Sequence, residues 1–233
     1  MLFSNKLRNF AVAKHKPMSN DILESVSQRG YGAYDEENRR IRKVSDELQR
    51  LCAVYEAQLR NGQEHVSRYE TELRVAEQYA KENGIWIPMH EIFDLGTPGP
   101  SGNENDTYVS DTYVFKVNNL LNAGGICSLL GKIRLHNQLF PNTYYCFCGF
   151  AGYDNRSVFP VLKQRRIRNA HPATQIMIDT YMAALGFEKT TKEGRFSNKT
   201  YEVWDLVPRN VLVDTEGDIY VVDAEIKEII SFG

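Results

Sequence analysis

The sequence has no apolar run approaching the ~18 residues of a transmembrane helix, so we expect no membrane partner. A net charge of -2 gives no reason to expect general binding to nucleic acid or acidic membranes. The first twenty residues also lack the apolar centre of a signal peptide. Polar residues interrupt this stretch at Asn5, Lys6, Arg8, Asn9 and Lys14. These absences predict a cytoplasmic protein.

The chain has only four cysteines, and their spacing does not suit a structural zinc site. Cys146 and Cys148 share one face of a strand-like run, but no second pair stands at matching spacing. We therefore expect buried small hydrophobic side chains. The 42% hydrophobic and 25% charged content is ordinary for a globular protein of 233 residues.

The chain from Asp35 to about Glu82 has helical periodicity. Apolar residues recur at spacings of three and four, and Asn61-Gly62 is a plausible break. The stripe consists of Ile41, Val44, Leu48, Leu51, Tyr55 and Leu59, and then Val66, Tyr69, Leu73 and Ala76. The pattern predicts a helical hairpin or one long kinked helix, and each run is short for a coiled coil. We assign residues 1–84 to this N-terminal helical segment.

Strand patterns follow Asn83-Gly84 and predict an α+β domain over residues 85–233. A hairpin, a helix within 119–139, two more strands and a helix from His171 to about Leu185 are expected in that order. The strand patterns lie at Thr107–Val109, Tyr113–Val117, Tyr144–Phe150 and Ser157–Leu162.

Three polar residues converge near the C-terminus. Val211–Val213 and Ile219–Val222 read as strands joined by a turn at 216–218, which places Asp205, Asn210 and Asp223 at one end of a hairpin. Two carboxylates and an amide suit a hard cation such as Mg²⁺. The sequence therefore predicts a cation site there.

Phosphoryl transfer from ATP needs a cover over the phosphates, a positive side chain and a metal ion. The stretch 96–102 supplies small residues for the cover, namely Gly96, Gly99, Ser101 and Gly102, although it is neither a G-x-G-x-x-G nor a Walker sequence. Lys116, central in a strand, can reach the phosphates. Asp205 would orient or deprotonate the attacking hydroxyl, and Asn210 and Asp223 would hold Mg²⁺.

The spacing of Asp205, Asn210 and Asp223 resembles the catalytic and metal-binding loops of the protein-kinase superfamily. The narrower resemblance is to small kinase modules of bacterial and phage polyvalent proteins, which are similar to HipA-type kinases in their reduced set of structural elements. It is carried by Ser101–Asn105, Leu135–Asn137 with Phe140-Pro141, Val161–Gln164 and Asp205–Asn210.

This resemblance implies a kinase fold with a five-stranded antiparallel N-lobe over about 85–167 and a reduced C-lobe over about 168–233. It implies ATP and Mg²⁺ as cofactors, a protein Ser, Thr or Tyr hydroxyl as acceptor, and a mobile-element setting. The strand and hinge beside adenine would fall at 158–167, with backbone groups around Leu162 to Arg165 as the adenine contacts, so that Leu162 and Gln164 are among the nucleotide-binding residues.

Some positions depart from the kinase pattern. Val203-Trp204 stand where His-Arg is usual, and Asp223-Ala-Glu225 replaces Asp-Phe-Gly, which makes Glu225 a further candidate metal ligand. No acidic residue lies between Asn119 and Leu139, so Lys116 is expected to pair with Glu104 or stay unpaired. His136 in that segment is expected to be structural.

Three functions stay open from the sequence. The first is an active kinase with an unidentified protein substrate. The second is an inactive kinase-like module that binds nucleotide or a partner, which the missing acidic residue and the ten residues after Asp223 favour. The third is a small-molecule kinase, for which a short second lobe would be natural.

Overall fold

The structure is a computed structural model that describes residues 31–62 and 66–229. The described residues from Tyr34 onward form one compact unit. The described helices are α1 (Tyr31–Gly62), α2 (Arg68–Glu82), α3 (Ile126–Leu139) and α4 (Gln175–Ala184). No helix among these residues is long and apolar enough to cross a membrane.

The strands fall into three sheets, and among the described strands only the first sheet has any longer than four residues. They are β1 (Trp86–Pro88), β2 (Thr97–Pro98), β3 (Asn105–Val109), β4 (Tyr113–Asn118), β5 (Cys146–Tyr153), β6 (Ser157–Arg165), β7 (Ala170–Pro172), β8 (Glu188–Lys189), β9 (Phe196–Ser197), β10 (Tyr201–Trp204), β11 (Val211–Asp214), β12 (Ile219–Val221) and β13 (Glu225–Glu228). The sheet orders are β1-β5-β6-β4-β3-β2, β13-β10-β9-β8 and β12-β11-β7.

The α+β prediction is confirmed, but the first sheet differs from the predicted five antiparallel strands. It has six strands and is mixed, because β1 pairs in parallel with β5 at one edge. Gly149 permits this approach, since a Cβ there would lie 2.2 Å from the carbonyl oxygen of Ile85. A three-residue strand carries too little periodicity to be identified from sequence.

The N-terminal helical prediction resolves into two helices that pack on the large sheet. Ile41, Val44 and Leu48 of the predicted stripe are buried, whereas Tyr69 is exposed. The turn into α2 is set by Ser67, whose hydroxyl accepts from the backbone of Glu70 while the Glu70 carboxylate accepts from Ser67. The buried cluster that these helices share with α3, β5 and β6 is Ile41, Val44, Leu48, Cys52, Val75, Ala76, Ala80, Leu120, Ile126, Leu129, Leu130, Ile133, Tyr145, Phe147, Phe150, Val158 and Leu162. The division of domains at residue 84 stays a prediction.

Two polar contacts fix the helices to their neighbours. Glu37 of α1 accepts from the backbone N–H of Phe147 at 2.9 Å, beside an irregularity in β5. Glu72 of α2 accepts from the N–H of Ile126 at 2.8 Å and so satisfies a free donor at the N-terminus of α3. Gly125 leaves room for that carboxylate, because a Cβ there would lie 2.6 Å from Glu72 Oε2.

The C-terminal part is built from α4 and the two small sheets around a second apolar cluster, which includes Ile178, Met182, Val203 and Val211. The predicted hairpin of β11 and β12 is confirmed. The predicted helix start at His171 is wrong. Residues 170–172 pair with β11 instead, and α4 begins after Thr174, whose hydroxyl caps it.

The four cysteines are free. Cys52 is buried, while Cys127, Cys146 and Cys148 are only partly buried. The expectation of buried small hydrophobic side chains is therefore met fully by Cys52 alone.

Candidate active site

Lys116 lies in the middle of β4, and its side chain is buried. Its ammonium donates to the hydroxyl oxygen of Tyr145 at 2.7 Å and to the carbonyl oxygen of Val222 at 2.8 Å. Asp223 Oδ2 lies 3.7 Å away. The predicted choice between Glu104 and no partner is therefore wrong, because the lysine reaches across to the segment before β13. Burial lowers the pKa of Lys116 from its ordinary value, and the charge of Asp223 opposes that effect.

The segment Val221–Glu225, called the acidic loop below, is anchored by side chains from the connection between α3 and β5. The Thr143 hydroxyl donates to the Val221 carbonyl at 2.6 Å, and the Tyr145 hydroxyl donates to the Val222 carbonyl at 3.0 Å. Burial, together with the charge of Asp223, raises the pKa of Tyr145 well above its ordinary value. The hydroxyl therefore stays protonated and available as a donor.

His136 belongs to this same polar layer. It is 1% exposed, and its Nε2 lies 3.3 Å from both the carbonyl and the hydroxyl oxygen of Thr143. Burial, followed by the nearby charge of Lys116, lowers the pKa of His136 to about 3. The ring is neutral at ordinary pH, which fits the structural role expected for it.

Asn210 connects the two loops that the sequence predicts to converge. Its carbonyl oxygen accepts from the N–H groups of Val222 and Asp223, at 2.9 and 3.3 Å. Its side-chain amide donates to Asp205 Oδ2 at 2.8 Å. One residue therefore links the Asp205 loop to the acidic loop through its main chain and its side chain.

Asp205 has a left-handed backbone, with φ of +59°. This conformation is strained for a residue with a side chain, and such strain clusters at functional positions. Its carboxylate accepts from Arg209 at 2.7 Å as well as from Asn210. These contacts orient a carboxylate whose side chain is still 41% exposed.

The candidate cation ligands have suitable chemistry for a hard ion. The Asp223 side chain is 40% exposed. Burial acts to raise its pKa, but the charges of Lys116 and Lys132 hold that pKa below its ordinary value. The Asn210 amide nitrogen donates to Asp205, so the amide oxygen is the Asn210 side-chain atom that can bind a cation. One carboxylate and one amide oxygen fit Mg²⁺, which keeps several waters and needs few protein ligands.

No group of three His, Cys, Asp or Glu side chains in the described part of the chain is arranged to hold a metal ion. Glu225, the further candidate ligand, is occupied on one side, since its Oε1 accepts from Lys132 at 2.6 Å. Burial raises the pKa of Glu225 in spite of that contact. Its role as a metal ligand stays a prediction.

Lys132 of α3 was not identified from the sequence. It contacts Glu225 and lies 3.7 Å from Glu104 Oε2, so Glu104 has a lysine partner other than the expected Lys116. The sequence contains a signal for this pair. Lys132 is in a helix that has no acidic residue to pair with it, and Glu225 stands where the kinase pattern has glycine. Two unexpected opposite charges could have suggested a pair.

The predicted phosphate cover forms the turn between β2 and β3. The Gly99 N–H donates to Thr107 O at 2.9 Å, and the Gly102 N–H donates to Asn105 O at 3.0 Å. We call residues 99–104 the glycine turn. Thr107 stands opposite Lys116 across β3 and β4, and its hydroxyl donates to Pro100 O at 2.7 Å. The turn, with Ser101 exposed, is therefore held to the strand beside Lys116.

The two predicted nucleotide contacts on β6 are buried. Leu162 stands opposite Lys116 across β4 and β6 and belongs to the main apolar cluster. Gln164 donates to Thr143 O at 2.7 Å. Both side chains are used inside the protein, and the predicted contacts of the backbone around Leu162 to Arg165 with adenine stay a prediction.

Residues 69–229, more than half of the chain, match the family model described as a serine/threonine/tyrosine kinase found in polyvalent proteins. The chain belongs to this kinase family. No curated protein matches the chain. The match begins within α2, before Ser101, the first residue of the motifs on which the resemblance was based.

Trp204 precedes Asp205 at the position where the kinase pattern has arginine. The indole ring lies 5.3 Å from the guanidinium carbon of Arg195 and 5.9 Å from the ammonium of Lys227. Both cations also pair with Glu202 on the same strand. These cation–π contacts hold the strand that leads into Asp205.

Proposed function

We propose that the chain is an ATP- and Mg²⁺-dependent kinase that phosphorylates a Ser, Thr or Tyr hydroxyl of a protein. The observation that carries the proposal is the link through Asn210, whose main chain binds the acidic loop while its side chain binds Asp205. A general base and a cation ligand are thereby held by the same residue. Membership of the kinase family supports the same reaction.

Each residue has a role in this proposal. Asp205 accepts the proton of the attacking hydroxyl, and its contacts with Arg209 and Asn210 keep the carboxylate oriented for that transfer. Asn210 and Asp223 would hold Mg²⁺, and Glu225 is a candidate further ligand if its carboxylate leaves Lys132. The ion would supply positive charge beside the phosphates.

Lys116 and the glycine turn act on the nucleotide. Lys116 contributes positive charge beside Asp223, and the small residues Gly99, Ser101 and Gly102 let the backbone of the glycine turn come close to the phosphates. Leu162 and Gln164 mark the strand beside adenine. The proposal includes a cytoplasmic location and a bacterial mobile-element setting.

A non-catalytic nucleotide-binding module is the second candidate, and one observation favours it. The Lys116 ammonium already has two short hydrogen bonds and an ion pair, to Tyr145, Val222 and Asp223. A lysine with these partners would have to exchange one of them for a phosphate. A small-molecule kinase would use the same residues on a different acceptor.

The test is transfer of labelled γ-phosphate from ATP in the presence of Mg²⁺, with Asp205→Ala and Asp223→Ala beside the wild type. We expect labelled protein from the wild type and a rate about 10²–10⁴ lower for Asp205→Ala, the usual effect of losing a general base. Asp205→Ala should still bind ATP. Asp223→Ala should lose both the transfer and the Mg²⁺ dependence of ATP binding.

Asp94→Ala, at an exposed position on the 3-10 helix Met89–Leu95, is the matched control and should keep the wild-type rate. Metal-dependent ATP binding without any transfer would support the non-catalytic module. Label on a metabolite but never on protein would support the small-molecule kinase. Equal rates for Asp205→Ala and the wild type would contradict the base assignment.

A further inference from the structure

Lys132 lies where three elements meet. It extends from α3 to Glu225 at the start of β13 and to Glu104 at the end of the glycine turn. Its side chain is 18% exposed. Burial alone would lower the pKa of Lys132, but the contact with Glu225 and the charge of Glu104 raise it. The ammonium is therefore a permanent charge beside the acidic loop.

Glu225 stands two residues after Asp223 and flanks the buried Ala224. The two carboxylates lie close enough that, in addition to burial, the charge of Asp223 helps to raise the pKa of Glu225. They are therefore near enough to act on one cation after a change of side-chain position. The structure instead has the Glu225 carboxylate 2.6 Å from Lys132, while Asp223 lies beside Lys116.

Release of Glu225 would not leave Lys132 without a partner. Glu104 Oε2 is already 3.7 Å from the ammonium and would keep a negative charge beside it. This matters because a largely buried charge that loses its partner is strongly destabilising. The geometry therefore allows Glu225 to change partners at modest cost.

We propose that Lys132 is a positioning residue that withholds Glu225 from the cation bound at Asp223 and Asn210. A lysine in α3 thereby sets how many carboxylates the cation meets and how tightly it is held. The inference rests on the cation site of the proposed function and does not require that the chain transfers phosphate.

The test measures Mn²⁺ affinity of the full chain without nucleotide, from the free Mn²⁺ signal in electron paramagnetic resonance. We expect Lys132→Met to bind Mn²⁺ about tenfold more tightly than the wild type, because Glu225 is freed to join the site. This is the lower end of the 10–100-fold effects that groups around metal ligands produce. Lys132→Arg, which keeps the charge and the ion pair, should bind as the wild type does.

Two double variants separate ligation from a general change of charge. Lys132→Met with Glu225→Gln should lose the gain in affinity, whereas Lys132→Met with Glu104→Gln should keep most of it. Both double variants remove one carboxylate from beside the vacated ammonium position. Equal losses in the two would mean that only net charge matters, and this would overturn the proposal.

An unchanged Mn²⁺ affinity in Lys132→Met, with a circular-dichroism spectrum like that of the wild type, would also overturn it. Phosphate transfer by the wild type is measured separately. Failure of that reaction would count against the proposed function alone, because the Mn²⁺ comparison needs no ATP.

Discussion

The glycine turn and the acidic loop are held in different ways. The turn is fixed by bonds at the surface, such as the Asn119 amide donating to Asn103 O at 2.7 Å. The acidic loop is fixed by buried donors from Thr143, Tyr145 and Lys116. A surface bond exchanges readily with water, whereas a buried group that loses its partner suffers the full desolvation cost. The glycine turn can therefore rearrange while the acidic loop stays in place.

The largest loss of stability should come from removing one of the buried hydrogen bonds that hold the acidic loop. Tyr145→Phe removes a hydroxyl that accepts from Lys116 and donates to Val222. Hydrogen bonds to charged groups contribute about 1.5–3 kcal/mol, and we expect a loss of stability of that size. Urea unfolding monitored by circular dichroism measures it.

The matched control is Tyr69→Phe, at a residue that is 45% exposed on α2. This change should alter the free energy of unfolding by less than about 0.5 kcal/mol. Equal effects of the two substitutions would show that the buried hydroxyl does not anchor the acidic loop.

An intermediate effect should appear in the pH dependence. The folded pKa of His136 is about 3, below its ordinary value of 6.5, so the unfolded chain binds more protons between these values. Stability should therefore fall as the pH drops below 6.5, with a slope from this residue that approaches about 1.4 kcal/mol per pH unit. His136→Phe should show a correspondingly smaller slope between pH 6 and 4.

Urea unfolding of both proteins at several pH values checks this expectation. Carboxylates that titrate in the same range contribute to both proteins, so the difference between the slopes isolates the imidazole. Parallel slopes would mean that His136 takes up a proton in the folded protein.

The smallest effects should come from the turn. A Cβ on Gly99 would lie 2.8 Å from the Thr107 hydroxyl and the Val109 side chain, whereas a Cβ on Gly102 would meet nothing within 4 Å. Gly99→Ala should cost about 1 kcal/mol, the low end of overpacking, and Gly102→Ala about 0.5 kcal/mol or less. Thermal unfolding compares them, and a larger loss for Gly102→Ala would contradict the geometry.

The C-terminal hairpin was the most predictable part of the molecule. Turn residues at 216–218 and β-type runs on both sides are local signals, and they place Asp205, Asn210 and Asp223 together without knowledge of the rest. The helices α1 and α2 were predictable for the same reason, since their periodicity is carried by neighbouring residues.

The partners of Lys116 and Lys132 could not be predicted from local signals. Tyr145 and Val222 reach Lys116 from positions 29 and 106 residues away along the chain, and Glu225 is 93 residues from Lys132. Such contacts depend on how the sheets and α3 assemble. The predicted pair of Lys116 with Glu104 was wrong. Glu104 instead lies 3.7 Å from Lys132, a residue of α3 that is distant from it in the sequence.

The contact between Glu72 and the start of α3 has a consequence for sequence divergence. Gly125 has φ of +132° and almost no space beside it, because the Glu72 carboxylate takes the place that a side chain would fill. A side chain at 125 would displace the carboxylate and would also be strained by the positive φ. We therefore expect replacement of Glu72 to free space at position 125 without making a substitution of Gly125 tolerated.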